Sequence, residues 1–421
     1  MLLSNKIVFL YQTKLVMIAQ RLIAEVIETQ NEVWIKKDNS TKREKLTEIK
    51  VFEGFASIIT GIRRCGKSTL LRQLLPSVKG KTLFLNFEDP RLSGFETDDF
   101  RRLDNEIKNR KIKNLFFDEI QMLENWELYV RQKLDEKFNV VVTGSNATLL
   151  SKELGTKLTG RHLSSELFPF SYNEFLSFKK LKDSQKSIEM YLREGGFPDY
   201  LKIQQPSVLH QLLDDILLRD IAVRYGVRDV TSLRRLAVYL LSNIGKPVSA
   251  TKLTTLFNIK ATSTILEYFS YIENAYLVQF IPKFSYSVQA QIRNPKKVYA
   301  IDLGLFTHNS IIFTEEKGRR LENLVFLYYR RKGKELFYFN EKKECDFIVS
   351  EKGKIEEAIQ VCYEINEDNL KREIDGLIEA LDFFGMKKGT IITFNQSDVY
   401  RVDDKEIVLM PVRELLLNGT D

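Results

Sequence analysis

The sequence predicts an α/β fold: a parallel sheet with helices on both faces, then a helical segment, then two smaller units, the last again mixed α/β. Three observations carry this. From Phe55 to Leu167 short apolar runs alternate with helical segments, the pattern of strand–helix–strand crossovers. Leu115-Phe116-Phe117 and Val140-Val141-Val142 are apolar throughout, as strands buried on two faces are. A glycine-bracketed loop, Gly61 to Ser68, stands between a strand candidate and a helical segment.

In chain order, residues 1–45 read as a lead-in. Apolar residues recur at helical spacing from Leu15 to Val26, and a charged stretch runs from Lys36 to Lys50. A helix and a polar connection are expected, the helix packing on the core or on a neighbouring subunit. Residues 46–170 form the core, with strands expected over Ala56–Thr60, Thr82–Phe87, Asn114–Phe117, Val140–Thr143 and His162–Leu167. Residues 171–245 read as a helical lid. Residues 246–310 carry two short helices (Lys252–Phe257 and Ala261–Asn274, joined by Asn258-Ile259-Lys260) and two strands (Leu277–Ile281 and Lys297–Ile301). Residues 311–421 return to mixed α/β.

Composition bounds the function classes. The 421 residues are 43% hydrophobic and 29% charged, which is globular composition. No apolar run approaches the roughly 18 residues of a membrane-spanning helix, so no membrane partner is expected. The apolar start, Met1 to Gln20, is broken by Lys6 and Lys14 and is not read as a signal peptide. Three cysteines and three histidines without metal or redox spacing argue against structural zinc and fit a reducing cytoplasm. The net charge of +7 is mild, because 57 acids balance most of 64 bases. It permits nucleic-acid contact without arguing for it.

Gly61-Ile62-Arg63-Arg64-Cys65-Gly66-Lys67-Ser68 matches G-x-x-x-x-G-K-[ST] in full, between Ser57–Thr60 and the helical segment from Thr69. Glycines let backbone N–H groups wrap phosphate oxygens, and the new helix points its positive end at the same anion. Lys67 is expected on the β- and γ-phosphates of ATP and the Ser68 hydroxyl on Mg²⁺. The strand Asn114–Phe117 ends in two carboxylates. Asp118 is expected to hold Mg²⁺, and Glu119 to be the base that orients and deprotonates the attacking water. After Val140–Thr143, Asn146 is the preferred sensor of the γ-phosphate or water, with Ser145 the alternative and a helix cap the bland reading. Arg161 is expected to neutralise charge on the γ-phosphate, in its own chain or from a neighbouring subunit, with Arg219 and Arg224 as weaker candidates.

With these residues in hand, the chain resembles the AAA-type ATPases of bacteria and archaea, and within them the prokaryotic subgroup that joins an AAA domain to a C-terminal domain of unknown function. The resemblance rests on the Gly61–Ser68 loop, Phe84–Arg91, Phe117-Asp118-Glu119-Ile120-Gln121, Gly160-Arg161, Leu167–Ser171, Tyr299–Leu305 and the Asp346 region. It implies ATP binding and hydrolysis, and no known substrate.

Residues 246–301 resemble a winged helix. The helix that would enter a DNA groove, Ala261–Asn274, has no Lys or Arg and carries Glu267 and Glu273, so protein docking is favoured over base reading. Lys283, Arg293, Lys296 and Lys297 are left as residues for a DNA backbone. The last unit resembles the restriction-endonuclease-like fold, with Glu322 and Asp346 at acid positions. Gln360-Val361-Cys362 stands where that fold needs acid-x-Lys, so nuclease activity is not expected unless a lysine such as Lys371 substitutes. The expected function is Mg²⁺-dependent ATP hydrolysis that drives a conformational change in the C-terminal half toward a protein partner, with homo-oligomers allowed. The alternatives are an ATP-dependent DNA-binding protein or nuclease, and a nucleotide-gated switch with little turnover.

Overall fold

Five strands, β1 (Ala56–Thr60), β2 (Thr82–Asn86), β3 (Asn114–Asp118), β4 (Asn139–Gly144) and β5 (His162–Glu166), form a wholly parallel sheet in the order β2-β3-β4-β1-β5. The computed structural model describes residues 19–36, 40–150, 157–311 and 315–417. The period-2 alternation of side chains splits the strands between two apolar layers. Ile59, Phe84, Phe116 and Val141 enter one cluster, and Ile58, Leu85, Leu115, Phe117, Val140 and Val142 the other. Because β4 lies between β1 and β3, the carboxyl ends of these three strands converge on one crevice, the usual ligand edge of an open parallel sheet. The edge strand β5 is only partly covered, with Leu163 exposed.

The lead-in helix spans Gln20–Trp34, longer than expected at its far end; residues 1–18, with the apolar start, lie outside the described residues. It lies along the free edge of β2. Asn31 Nδ2 donates to Phe84 O at 2.9 Å while Phe84 N donates to Asn31 Oδ1 at 3.1 Å. Gln30 does the same for Asn86, at 3.1 and 2.7 Å. Two consecutive side-chain amides thus replace a neighbouring strand and cover an edge open to foreign pairing. Trp34 stacks on Phe84 with centroids 4.6 Å apart.

The polar connection is not wholly solvated. Arg43 is buried, with Nε on Glu174 Oε1 at 2.8 Å, Nη1 on Cys65 O at 2.7 Å and Nη2 on Phe168 O at 2.7 Å. Glu174 also closes a capping box with Ser171 at the start of the helix Tyr172–Lys179. Residues 171–245 are mainly helical through Ser242 and contain a π-helical run, Ile216–Val223, a rare geometry frequent at functional sites.

Two further sheets complete the chain. β6 (Pro247–Val248), β7 (Val278–Ile281) and β8 (Lys296–Ala300) pair antiparallel in the order β6-β8-β7, beside the helices Ala250–Phe257 and Thr262–Asn274. β9 (Glu335–Asn340), β10 (Glu344–Glu351), β11 (Lys354–Val361), β12 (Lys388–Thr393), β13 (Asp398–Val402) and β14 (Lys405–Pro411) form a mixed sheet, β13-β14-β12-β11-β10-β9. The helices Lys317–Arg331 and Glu367–Phe384 pack on it. Among the described residues no helix is long and apolar enough to cross a membrane.

Candidate active site

The chain turns immediately after β1. A Cβ at Gly61 would sit 2.0 Å from Leu167 O, so only glycine fits there. Gly66, at φ 100°, opens the helix Lys67–Leu74, whose N–H end faces the loop. Two residues that are not glycine also take left-handed backbone here, Arg64 at φ 62° and Glu119 at φ 52°. Such conformations are uncommon outside glycine and cluster at functional sites.

A connected polar network fills the crevice. Ser68 Oγ donates to Asp118 Oδ2 at 2.6 Å, and Thr143 Oγ1 donates to Asp118 Oδ1. Lys67 Nζ donates to Gly61 O at 3.1 Å and Ile62 O at 3.2 Å and lies 3.6 Å from Glu119 Oε1. Burial opposes the Lys67 charge, but Glu119, Asp118 and Asp220 together hold its pKa above the ordinary value. Burial, with Glu119 beside it, pushes Asp118 up to about 6 against the pull of Ser68, Thr143 and Lys67. Burial also opposes ionisation of Glu119; Lys67, then Gln121 and Arg63, outweigh it and keep that pKa low. A buried carboxylate so short of compensating charge, joined to a hydroxyl, is a hard-oxygen pair of the kind Mg²⁺ takes.

The structure brings Gly61–Thr69, Asp118 and Glu119 together. Of the two sensor candidates, Ser145 is the one bonded into this network: it accepts from Gln121 Nε2 at 3.3 Å and donates to Asp220 Oδ1 at 3.3 Å. Asn146 is buried one step away. Its Oδ1 accepts from Thr148 N at 2.8 Å, the capping geometry, and its Nδ2 lies 3.5 Å from Tyr225 OH. Arg161 is not brought to the loop. It precedes His162, which registers with Ala56 at the opposite end of β1, and it pairs with Asp135 at 2.8 Å. Arg219 is exposed and lies 3.6 Å from Asp215. Sequence reasoning missed the acids that meet the loop arginines: Glu88 and Asp220 on Arg63, and Asp215 on Arg64. Nothing in their spacing marked them, since Asp220 is 157 residues from Arg63.

A second polar cluster lies in the C-terminal half. Lys297 Nζ, fully buried on β8, contacts Glu344 Oε1 at 2.7 Å, Asp346 Oδ1 at 2.8 Å and Glu322 Oε1 at 3.2 Å. Asp346 Oδ2 accepts from Val361 N at 2.9 Å, and Gln360 Nε2 donates to Glu373 Oε2 at 2.7 Å. Lys297 is therefore closed to a DNA backbone, contrary to expectation, and it, not the exposed Lys371, faces the acids. Among the described residues no group of three or more His, Cys, Asp or Glu is arranged to hold a metal ion.

Comparison with known proteins matches two parts of the chain. A family model described as AAA domain matches residues 54–176, and one described as Domain of unknown function (DUF8612) matches residues 185–316. An uncharacterized protein of Methanocaldococcus jannaschii is 37% identical over 425 residues, covering 93% of this chain and 93% of the relative. The chain belongs to this family of AAA-domain proteins. A second member, an uncharacterized protein of Haemophilus influenzae, is 30% identical over 377 residues, covering 84% of this chain and 92% of that protein. Among solved structures, C. elegans PCH-2 aligns at 14% identity over 60% of this chain and 68% of that one, with a TM-score of 0.24. Drosophila ORC bound to AT-rich DNA and Cdc6 aligns at 10% identity over 69% and 94%, with a TM-score of 0.18. At such scores neither alignment constrains the function of this chain.

Proposed function

We propose that this AAA-domain protein binds Mg²⁺·ATP on Gly61–Thr69 and hydrolyses it, and that the nucleotide state is passed to its C-terminal half. The observation that carries the reading is the junction of Lys67, Ser68, Asp118 and Glu119 at the carboxyl ends of β1 and β3. Lys67 and the loop amides would hold the phosphates, and Ser68 with Asp118 the Mg²⁺, whose charge stabilises the transferring phosphoryl group. Glu119, ionised and held by Gln121, would take the proton of the attacking water, with Ser145 or Asn146 as the polar sensor. Arg161, on the far edge of its own sheet, would act only from a neighbouring subunit of an oligomer.

Coupling has a physical route. Tyr276 OH, beyond the helix Thr262–Asn274, donates to Thr60 Oγ1 at 2.8 Å, one residue before Gly61. Arg330 pairs with Glu166 at 2.6 Å, and Arg331 donates to Pro169 O at 2.9 Å, flanking Leu167, whose carbonyl abuts Gly61. We assign residues 46–170 to the ATPase core with the lead-in helix packed onto it, 171–245 to the lid, 246–310 to a winged-helix-like unit and 311–421 to a nuclease-like unit. The β6-β8-β7 sheet with two helices supports the third assignment, and the β9–β14 sheet the fourth. The helix Thr262–Asn274 turns Ile265, Phe269 and Ile272 inward and stacks Tyr271 on Tyr225, which favours protein packing over a DNA groove. Gln360 and Cys362 in place of the acid and lysine, with no group of acids among the described residues arranged to hold a metal ion, support an inactive nuclease fold, although Lys297 meets Glu322 and Asp346.

The test is calorimetry with Mg²⁺ and ATP, alongside steady-state turnover. Lys67→Ala should lose binding, and Glu119→Gln should bind yet turn over about 10² to 10⁴-fold more slowly, the range of a lost general base. Normal turnover in Glu119→Gln, or no binding by the wild type, overturns the reading.

A further inference from the structure

Arg63 sits inside the phosphate loop, but its guanidinium is already engaged by a carboxylate in the fork geometry it would use for a phosphate. Nε and Nη2 donate to the two oxygens of Asp220 at 3.0 and 3.2 Å, and Nη1 donates to Glu88 Oε1 at 2.9 Å. A planar guanidinium binds carboxylate and phosphate through the same pair of parallel N–H bonds. Asp220 is itself buried and also accepts from Ser145. The neighbouring arginine is also held by an acid, through one bond: Arg64 Nη2 donates to Asp215 Oδ2 at 2.9 Å. The two acids lie on consecutive helical segments: Asp215 ends the helix Pro206–Asp215, and Asp220 lies within the π-helical run Ile216–Val223. Arg63 and Arg64 line a cavity of about 770 Å³ together with Ser68, Asp118 and Glu119. Arg63 is thus on the hydrolytic side of the loop.

Resting on the nucleotide reading above, we propose that Asp220 is a tethered competitor for the terminal phosphate of a nucleoside triphosphate: phosphate takes the Arg63 guanidinium from Asp220, and the run Ile216–Val223 is released from the loop. The release has a defined neighbour. Two residues beyond the run, Tyr225 stacks on Tyr271 of the helix Thr262–Asn274, with centroids 3.9 Å apart and ring planes 9° from parallel. A diphosphate lacks the group that displaces Asp220 and leaves the run in place.

The experiment is calorimetry on the full chain with Mg²⁺ and either a non-hydrolysable ATP analogue or ADP. Removing the competitor in Asp220→Asn should tighten the analogue about tenfold, within the usual range of coupling between sites, and move ADP little. Arg63→Ala should weaken the analogue by a similar factor, and the double variant should lose the gain seen in Asp220→Asn. Loss of a negative charge near the loop would by itself tighten ADP as well as the analogue, so an equal gain for both overturns the proposal, and misfolding cannot produce a gain. Amide exchange of the wild type is the second measurement: saturating analogue should reduce protection across 216–223, and ADP should not. If the wild type binds the analogue but Asp220→Asn does not tighten it, or protection does not fall, the competitor proposal is overturned and the nucleotide reading stands. If the wild type binds neither ligand, the nucleotide reading fails and the proposal with it.

Discussion

The Lys297 ammonium meets two largely buried carboxylates, Glu322 and Asp346, and a more exposed third, Glu344, so the buried charge is not fully neutralised. Burial, with Asp346 adding to it, pushes the Glu322 carboxyl from 4.5 up to about 7, against the pull of Lys297 and the Tyr299 hydroxyl. The fold thus favours the protonated form. A carboxyl of that kind contributes stability at low pH, and the contribution is lost as pH rises from its ordinary value through its raised one. Glu322→Gln has no such proton to lose. The wild-type unfolding temperature should therefore fall relative to Glu322→Gln between about pH 5 and 8. Parallel curves for the two proteins over that range would show that Glu322 does not titrate there. The Asp118 carboxyl in the crevice is raised for the same physical reason, burial beside another acid. Of its two hydroxyl partners, Ser68 was legible from the loop motif and Thr143 was not; likewise Glu322 and Asp346 were legible as acids, whereas Lys297 between them was not, because the members come from β8, β10 and a helix between them.

At the scale of elements, the lead-in helix covers an edge that would otherwise present Phe84 and Asn86 backbone groups to other chains. Replacing Gln30 and Asn31 together with alanine removes their four hydrogen bonds to β2, along with those to Asp89 and Ile27, and leaves those groups to water. The expected loss is about 1 to 3 kcal/mol, since the edge regains solvent bonds, with self-association at high concentration as the free edge pairs. Urea unfolding and light scattering measure the two effects. Val33→Ala, on the exposed face of the same helix, should stay within about 0.5 kcal/mol. The helix itself was legible from its apolar spacing, and all five sheet strands from their short apolar runs. What it packs against was not, because two adjacent amides carry no periodicity.

For the whole molecule, the sheet edge that carries the loop also carries the C-terminal half. Arg330 and Arg331, the last two residues of the helix Lys317–Arg331, grip Glu166 and the carbonyls of Pro169 and Phe170. Exchanging both for alanine should speed amide exchange in that helix and lower the unfolding midpoint, and unchanged exchange there would show that the contact does not hold the halves together. The sequence anticipated an ATPase core followed by further units in one chain, as the two family models over residues 54–176 and 185–316 reflect. Nothing in it pointed to Tyr276 reaching Thr60 across 216 residues.

The sequence by itself determined the parallel sheet, the glycine-bracketed loop and the paired acids after β3, because each depends on a few consecutive residues: alternation along a strand, backbone freedom at Gly61 and Gly66, carboxylates at a strand end. The tertiary structure alone decided which charges meet. It set Asp220 and Glu88 on Arg63, put Ser145 rather than Asn146 in the polar network, carried Arg161 to the far end of β5, and buried Lys297 among acids. Coulomb energy and burial depend on distance through space, and the fold, not the spacing along the chain, sets that distance.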